Sequence, residues 1–556
     1  MTRTSANIAR VLVGAGAVLL FVSSLMLASV GHVFVSPDEN ANAFFAQRFA
    51  QTGSLAVSEP LNSIADGRIH PRSMVVVSDR LVPGSFLGLP VLYGTLAAIL
   101  GAWVLPLLTA VVAAVAVAAW YGIVRRVYGQ TIGVVAALLL ATHPAWWYYA
   151  SRGFMHNVLF ASLLVFAAYM LVARPLFAHV RRPQSLRLFG DAALAGCFIG
   201  MALFVRTSEI VWVLPLCVLV PALVIPRTAW RHGRAQMAAF VVFFGLACVP
   251  FFAFNQATYG SPFETGYTVM TDSQRAIVAT EGVVEALEVV GGKTETSFGS
   301  LDWSATKTNT KLYLLGLFWW LSLLCLVGVP HVLPQKMETS IQIRNKRAYV
   351  FTMLFAAAIL VPMYGSWVFF DNPDPSQVTI GNSHIRYWLP LFLLSTPIAA
   401  SGIVWIAHRV SSRRLRTAII AIMVFLCAIA SVQVAALGPQ DGLVVAREGL
   451  ENSRVIRSQT LDVIEDNAVI IVDRADKLFF PYRDVLYPLR DEATYALMPK
   501  LVRRVPLYYY GITLPPQDIG YLNEEKLAAK GLRIDLVRAF DIESLYRITP
   551  ASGEGL

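Results

Sequence analysis

Ser36-Pro37-Asp38-Glu39-Asn40 lies a few residues beyond the first long apolar run, about residues 11–31. It puts two adjacent carboxylates where that run should leave a membrane. Ionisable groups at a membrane boundary are costly to keep dry and often mark function. The same residues also have a purely local meaning. Ser36 suits an N-cap, Pro37 the first helical position, and Glu39 completes a Ser-x-x-Glu capping box. Asp38 would then simply favour the positive end of the helix dipole. The two meanings are compatible, because a capped helix holds a carboxylate rigidly.

Working outward, the capped segment continues with Phe45 and Phe49 one turn apart and Gly53 as its stop. Glu59, Asp66, His70, Arg72, Asp79 and Arg80 follow, within a loop from His32 to about Ala102. The apolar segment from Pro83 to Gly101 begins Pro-Gly. It is expected to lie on or dip into the outer interface. If it spanned, Arg125 and Arg126 would fall outside and every later basic loop would change side.

Hydrophobic residues make up 56% of the 556, charged residues 14%, and the mean hydropathy is +0.58. A soluble chain has roughly a quarter of its residues charged. Repeated apolar runs of about 18 residues or more therefore describe a polytopic α-helical membrane protein. The first run follows Arg3 and Arg10, is long for a signal-peptide core and has no clear small-x-small cleavage site, so it is expected to stay as a first span. Cys197, Cys217, Cys248, Cys325 and Cys427 all fall in apolar runs, with neither a CxxC motif nor a disulfide pattern.

Ten further spans are expected, at about 103–124, 131–148, 157–173, 189–205, 209–226, 236–254, 311–330, 348–370, 387–407 and 417–437. The connections on one side are short and rich in Lys and Arg: Arg125-Arg126, then Arg174, Arg181, Arg182 and Arg187, then Arg227, Arg231 and Arg234, then Lys336, Arg344, Lys346 and Arg347, then Arg409, Arg413, Arg414 and Arg416. This bias puts the N-terminus in the cytoplasm and, after eleven spans, residues 438–556 outside the cytoplasmic membrane. The net charge of +10 then faces the anionic inner leaflet and not nucleic acid. The expected domains are a membrane domain, 1–437, with outer loops 32–102 and 255–309, and an extracytoplasmic α/β domain, 438–556. In the tail, Ala468–Asp473 and Val505–Tyr510 read as strands, Gln517–Lys530 as a helix, and Leu532–Arg547 as one or two more strands. No Gly-rich phosphate loop is present.

The outer-side ionisable residues come from several separate loops: Asp38, Glu39, His70, Asp79, Arg80, Arg152, His156, Arg206, Glu209, Asp371, Asp374, His384 and Arg386. No Asp, Glu, Lys or Arg lies deep in an apolar run. A transporter or flippase of lipid-linked saccharide is the rival, but it would be expected to show charges or broken helices near the midplane. Trp146 to Tyr149 suit an aromatic belt, and Arg386 beside Tyr387 and Trp388 suits a snorkelling anchor as well as a site. The acids Glu264, Asp272, Glu281, Glu285, Glu288, Glu295 and Asp302 suit a solvated loop.

In this order of motifs the chain resembles the GT-C membrane glycosyltransferases, most closely the polyprenyl-phosphate-sugar-dependent branch of protein O-mannosyltransferases and lipid A aminoarabinose transferases. The resemblance runs over residues 1–437. It is carried by Pro37-Asp38-Glu39 after the first span, the interfacial segment ending in Gly101, Arg125-Arg126-Val127-Tyr128-Gly129, Pro144 with Tyr148-Tyr149-Ala150, Phe254-Asn255 with Tyr259-Gly260-Ser261-Pro262-Phe263, and His384-Ile385-Arg386-Tyr387 with Leu389-Pro390. It implies inverting transfer of a sugar from a polyprenyl-phosphate donor to an acceptor hydroxyl on a glycan, lipid or protein, at the outer side of the bilayer. Such chemistry needs a general base, for which Asp38 is the first candidate and Glu39 the second. It also needs positive charge on the departing phosphate, from Arg386 with Arg206 and Arg152. His156, Asn157, His384, Tyr387 and Tyr267 are the expected supporting or substrate-binding residues. Many relatives carry a second acid in the loop after span three, where this chain has His156. No residue is matched to the metal ligands of the aminoarabinose transferases, so a divalent ion is left open as a cofactor.

Overall fold

A computed structural model describes residues 3–173, 185–224, 233–269, 301–335, 338–369, 371, 372, 374 and 376–551. The basic residues Arg174, Arg181, Arg182, Arg227, Arg231 and Lys336, and the acids Asp272, Glu281, Glu285, Glu288 and Glu295, lie outside the described residues. The chain forms two compact units: the described residues of 1–29, 106–252 and 282–446, and those of 30–105, 253–281 and 447–556. The sequence reading instead divides the chain at 437 and leaves the outer loops with the spans.

The described residues of the expected spans fall mostly on helix, but not as eleven unbroken spans. Among the described residues, seven helices are long and apolar enough to cross a bilayer: Ala6–Ser24, Ala102–Tyr128, Leu188–Val205, Arg234–Tyr259, Ser340–Gly365, Leu389–Ala407 and Arg413–Ala435. Two more of the expected spans are bent pairs, Gln130–Ala141 with Pro144–Ser151 at 47° and Trp303–Gly316 with Trp319–Val332 at 90°. The last two, His156–Val172 and Thr207–Leu223, are shorter apolar helices among the described residues.

Within the first unit, Leu389–Ala407 is the central helix. It packs against Trp319–Val332, Gln130–Ala141 and Arg413–Ala435. Lipid tails are as apolar as leucine, so helices in a bilayer associate through close packing more than through hydrophobic burial. Gly328 and Gly402 supply that closeness. A Cβ at Gly328 would meet the Ile398 carbonyl oxygen at 1.8 Å, and one at Gly402 would meet that of Leu324 at 2.3 Å. Trp120 Nε1 also donates to Thr396 Oγ1 at 2.9 Å. Val11, Val18, Leu19 and Val22 of the first helix, and Phe425 and Leu426 of Arg413–Ala435, are exposed apolar side chains, as lipid-facing surfaces require.

The second unit joins the first outer loop to the tail. Helix Pro37–Thr52 starts with the expected capping box and stops at Gly53, which is left-handed at φ 68°. After it comes a three-stranded antiparallel sheet of β1 (Val57–Ser58), β2 (Met74–Val77) and β3 (Arg80–Pro83), in the order β1-β3-β2. Helix Gly88–Leu100 packs on Pro37–Thr52. Its 13 residues extend about 20 Å, against a hydrocarbon core of roughly 30 Å, which fits an interfacial element better than a span. Leu96, Ile99, Leu100 and Trp103 are exposed, while Leu89, Tyr93 and Ala97 are buried.

The tail sheet contains β4 (Val469–Val472), β5 (Asp484–Leu486), β6 (Leu507–Ile512), β7 (Leu532–Phe540) and β8 (Glu543–Pro550), in the order β5-β4-β6-β8-β7. β4 runs parallel to β5 and β6, and β8 runs antiparallel to β6 and β7. The central strands Val-Ile-Ile-Val and Leu-Tyr-Tyr-Tyr are buried, as continuous apolar strands of a parallel ladder should be. Their core, including Val469, Ile471, Met498, Leu507 and Tyr509, also takes in Ala65 and Ile69 from the first loop. Ile69 bridges to Leu486. Loop and tail therefore share one core.

Candidate active site

The acidic turn belongs to the second unit. Glu39 Oε2 accepts from the Ser36 backbone N at 3.0 Å and from Ser36 Oγ at 3.2 Å, while Ser36 Oγ accepts from the Glu39 N at 3.4 Å. Glu39 is buried and serves as the closing half of the capping box. Asp38, one residue earlier, is half-buried, and its Oδ1 accepts from Ser73 Oγ at 2.5 Å. The two carboxylates are thus separated by role: Glu39 fixes the helix start, and Asp38 stands on it.

The tail holds this turn from behind. Lys477 Nζ donates to the Val35 carbonyl. Asn40 Nδ2 donates to the Phe480 carbonyl at 3.4 Å, and the Phe44 and Phe480 rings meet edge to face at 4.9 Å. Arg72, next to Ser73, binds Asp476 through its backbone N and its guanidinium. Sequence reasoning missed Ser73, Asp476, Lys477 and Phe480. Nothing local marks them, because their partners lie in a distant part of the chain. Tyr259, quoted above only as a motif residue, donates its hydroxyl to the carbonyls of Pro83 and Ser85 at 2.8 and 3.0 Å. Tyr267 is half-exposed, with its ring 5.0 Å from that of Phe86.

The basic residues belong to the first unit, and there the structure brings Arg206, Arg386 and Tyr387 together. The Arg386 and Arg206 guanidiniums lie 5.2 and 4.9 Å from the Tyr387 ring centroid. Tyr387 stacks on Tyr364 at 4.4 Å. Arg206 donates to Glu209 Oε1 through Nε and Nη2 at 3.0 and 2.7 Å, and Nη2 also reaches the Tyr364 hydroxyl at 3.1 Å. Glu209 further accepts from Tyr364 and Trp212. Arg206 is therefore the cation of a buried ion pair that supports Tyr387. Arg386 Nη1 points to Met155 Sδ, a weak acceptor, at 3.5 Å.

Arg152 is buried 5.9 Å from the Tyr148 and Tyr149 ring centroids. Asn157 Nδ2 donates to the Arg386 carbonyl at 2.9 Å, tying the loop after the third span to the start of the tenth. His156 is buried beside it at the start of the His156–Ala168 helix. His384 caps no ligand set. It hydrogen-bonds Asn382 Oδ1 at 2.8 Å, stacks on Tyr313 and packs against Phe369 and Trp388. Burial pushes its imidazole down to about 4. Asp371 accepts from the Ser383 N and Asp441 from the Gly381 N, so these acids shape the loop before Arg386. Among the described residues no group of three or more His, Cys, Asp or Glu side chains is placed to hold a metal ion.

Residues 93–254 match the family model described as dolichyl-phosphate-mannose-protein mannosyltransferase. No curated protein sequence matches the chain. The fold is similar to that of ArnT from Cupriavidus metallidurans. In its apo state the TM-score is 0.56 at 13% identity over 98% of both chains; bound to undecaprenyl phosphate it is 0.57 at 15% identity over 100% of both. The apo oligosaccharyltransferase of Archaeoglobus fulgidus matches at TM-score 0.50 and 12% identity, over 92% of this chain and 70% of that one. Residues 93–254 are thus similar to a mannosyltransferase family, and the fold of the whole chain is similar to that of ArnT.

Proposed function

We propose that the protein moves a sugar from a polyprenyl-phosphate donor to an acceptor hydroxyl at the outer face of the cytoplasmic membrane, with its N-terminus in the cytoplasm. The observation that carries this reading is Asp38. It is a carboxylate on a capped, rigid helix start that accepts from the Ser73 hydroxyl, while its neighbour Glu39 closes the cap. The binding of undecaprenyl phosphate by a protein of the same fold supports the donor class.

In the step itself, the acceptor oxygen forms a bond to the anomeric carbon as the bond from that carbon to the phosphate oxygen breaks. Asp38 takes the hydroxyl proton as general base. The lipid phosphate leaves with added negative charge. Arg386, with Arg152, stabilises it, and a guanidinium suits it because its donors form a planar fork. Arg206 and Glu209 hold Tyr387 in place beneath Arg386. A single displacement inverts the anomeric centre.

Incubating purified protein with polyprenyl-phosphate sugars and an acceptor extract, then following the lipids by mass spectrometry, tests the reading. Transfer releases the free lipid phosphate. Movement of the intact lipid across vesicles without its release would favour a flippase instead.

A further inference from the structure

Ser73 is a serine in a backbone conformation that serine seldom adopts. Its φ is +62°, in the left-handed region where only glycine is at ease. Three contacts hold it there. Its carbonyl accepts from the Gly84 N at 2.9 Å. Gly84 lies so close that a Cβ would meet the Ser73 carbonyl carbon at 2.8 Å. The preceding residue, Arg72, is fastened to Asp476 by its backbone N at 2.8 Å. Ser73 then leads directly into β2, whose register with β3 pairs Met74 with Pro83.

A left-handed serine is less stable than a glycine in the same place, so its side chain needs a reason to be there. The side chain shows one. Ser73 Oγ donates to Asp38 Oδ1 at 2.5 Å, the distance of a charge-assisted O–H···O⁻ bond. The receiving end is equally fixed. Asp38 sits in the first turn of a helix with a complete capping box, and the residues on either side of that turn are tied to the tail through Lys477 with Val35 and Phe480 with Asn40. Donor and acceptor are thus both anchored to one short tail segment, Asp476 to Phe480.

We infer that Ser73 is a positioning residue for the base. Its hydroxyl fixes the rotation of the Asp38 carboxylate, and the Asp476–Phe480 segment of the tail holds the two in register. This rests on the proposed role of Asp38. It also gives the tail domain a part in the reaction, as the frame of the base.

The conformation of Ser73 provides a discriminating test. Ser73→Gly deletes the hydroxyl and relieves the backbone, so a purely structural serine predicts a variant that melts at or above wild type and is fully active. Ser73→Ala deletes the hydroxyl and keeps the strain. The probes are polyprenyl phosphates carrying mannose, glucose, arabinose or aminoarabinose, and the readout is lipid phosphate released per folded molecule by the purified full chain. The inference predicts that both variants lose about 10- to 100-fold in turnover, the size of a hydrogen bond to a charged group. Donor KM should stay near wild type, and melting should hold or rise in the glycine variant. The acid limb of the pH–rate profile should move to higher pH in both, since the lost donor favoured the ionised carboxylate.

Wild-type turnover and an unmoved acid limb in Ser73→Gly would overturn the positioning role. Asp38→Asn is assayed beside them. If it is inactive while Ser73→Gly is normal, only the positioning inference fails. If Asp38→Asn is fully active, or if wild type releases lipid phosphate from none of the four donors, the functional reading fails and takes the inference with it.

Discussion

Arg72 grips Asp476 at three points: Nε and Nη2 to Oδ1 at 2.9 and 2.7 Å, and the backbone N to Oδ2 at 2.8 Å. The Asp476 side chain is 1% exposed and that of Arg72 is 20% exposed. Removing one partner of a buried pair leaves the other charge uncompensated, which costs about 3–5 kcal/mol for a fully buried pair. The partial exposure of Arg72 lowers this to roughly 2–3 kcal/mol. Asp476→Ala should therefore lower the melting temperature of the purified protein in detergent by several degrees. An unchanged melting curve would show that water already serves Arg72.

Glu59 gives a pH dependence with a definite sign. Burial and the neighbouring Asp484 push its carboxyl up to about 7, and Asp484 is raised as well, again by burial. The folded state therefore binds more protons than the unfolded state between about 4.5 and 7. Stability from this pair is present below that window and is lost as pH rises through it. Glu59→Gln keeps an oxygen for the Leu61 N that Glu59 Oε1 caps at 3.1 Å. It should melt higher than wild type at pH 8 and about the same near pH 5. Parallel curves at both pH values would show that the pair does not titrate in this range.

Arg386 tests the phosphate clamp. If its planar fork receives the leaving phosphate, Arg386→Lys should be impaired and Arg386→Ala worse, in turnover as well as donor binding. A snorkelling anchor would make Lys nearly as good as Arg, with any difference confined to insertion or stability. Turnover against donor concentration, normalised to folded protein, separates the two. Equal rates for Lys and wild type would remove Arg386 from the site.

Topology is checked by fusion. The basic bias of the loops after the even-numbered spans predicts that residues after Leu437 lie outside. A reporter active only in the cytoplasm, fused there, should stay dark. A bright fusion would make Gly88–Leu100 cross the membrane and reverse the sides of every later loop.

Much of the fold is legible in the sequence because its signals are local. Apolar runs mark the spans, and Ser36, Pro37, Glu39 and Gly53 mark both ends of one helix, since caps act within a turn. The strands at Val469–Val472 and Leu507–Ile512 fall where their apolar runs put them. The segment 517–530 reads as one helix but breaks into helix Pro516–Tyr521, a π turn and a 3₁₀ turn ending at Lys530. There Asn523 pairs with both backbone groups of Ile534, drawing the segment onto β7. The three-residue β5 and the helix Glu492–Leu501 go unread, the first for want of length.

The site is only half legible. Asp38 and Arg386 stand out as candidates because charge at a membrane exit is conspicuous. Ser73, Asp476 and Lys477 cannot, because their meaning lies in contacts such as the one between Arg72 and Asp476, 404 positions apart. Pairing at that distance leaves no period and no spacing in the chain. The positive φ of Ser73, which Ser78 and Asp79 share, leaves no sign in the sequence either.

The most direct test of the account is a comparison of wild type and Asp38→Asn, purified and matched for folding, in release of lipid phosphate from polyprenyl-phosphate sugars. The capping box uses Ser36 and Glu39 and not the Asp38 side chain, so the variant should fold and insert normally. The account predicts that its turnover falls by roughly two to four powers of ten, the range for loss of a general base. Near-normal transfer by Asp38→Asn would contradict it and leave the acidic turn as a helix cap alone.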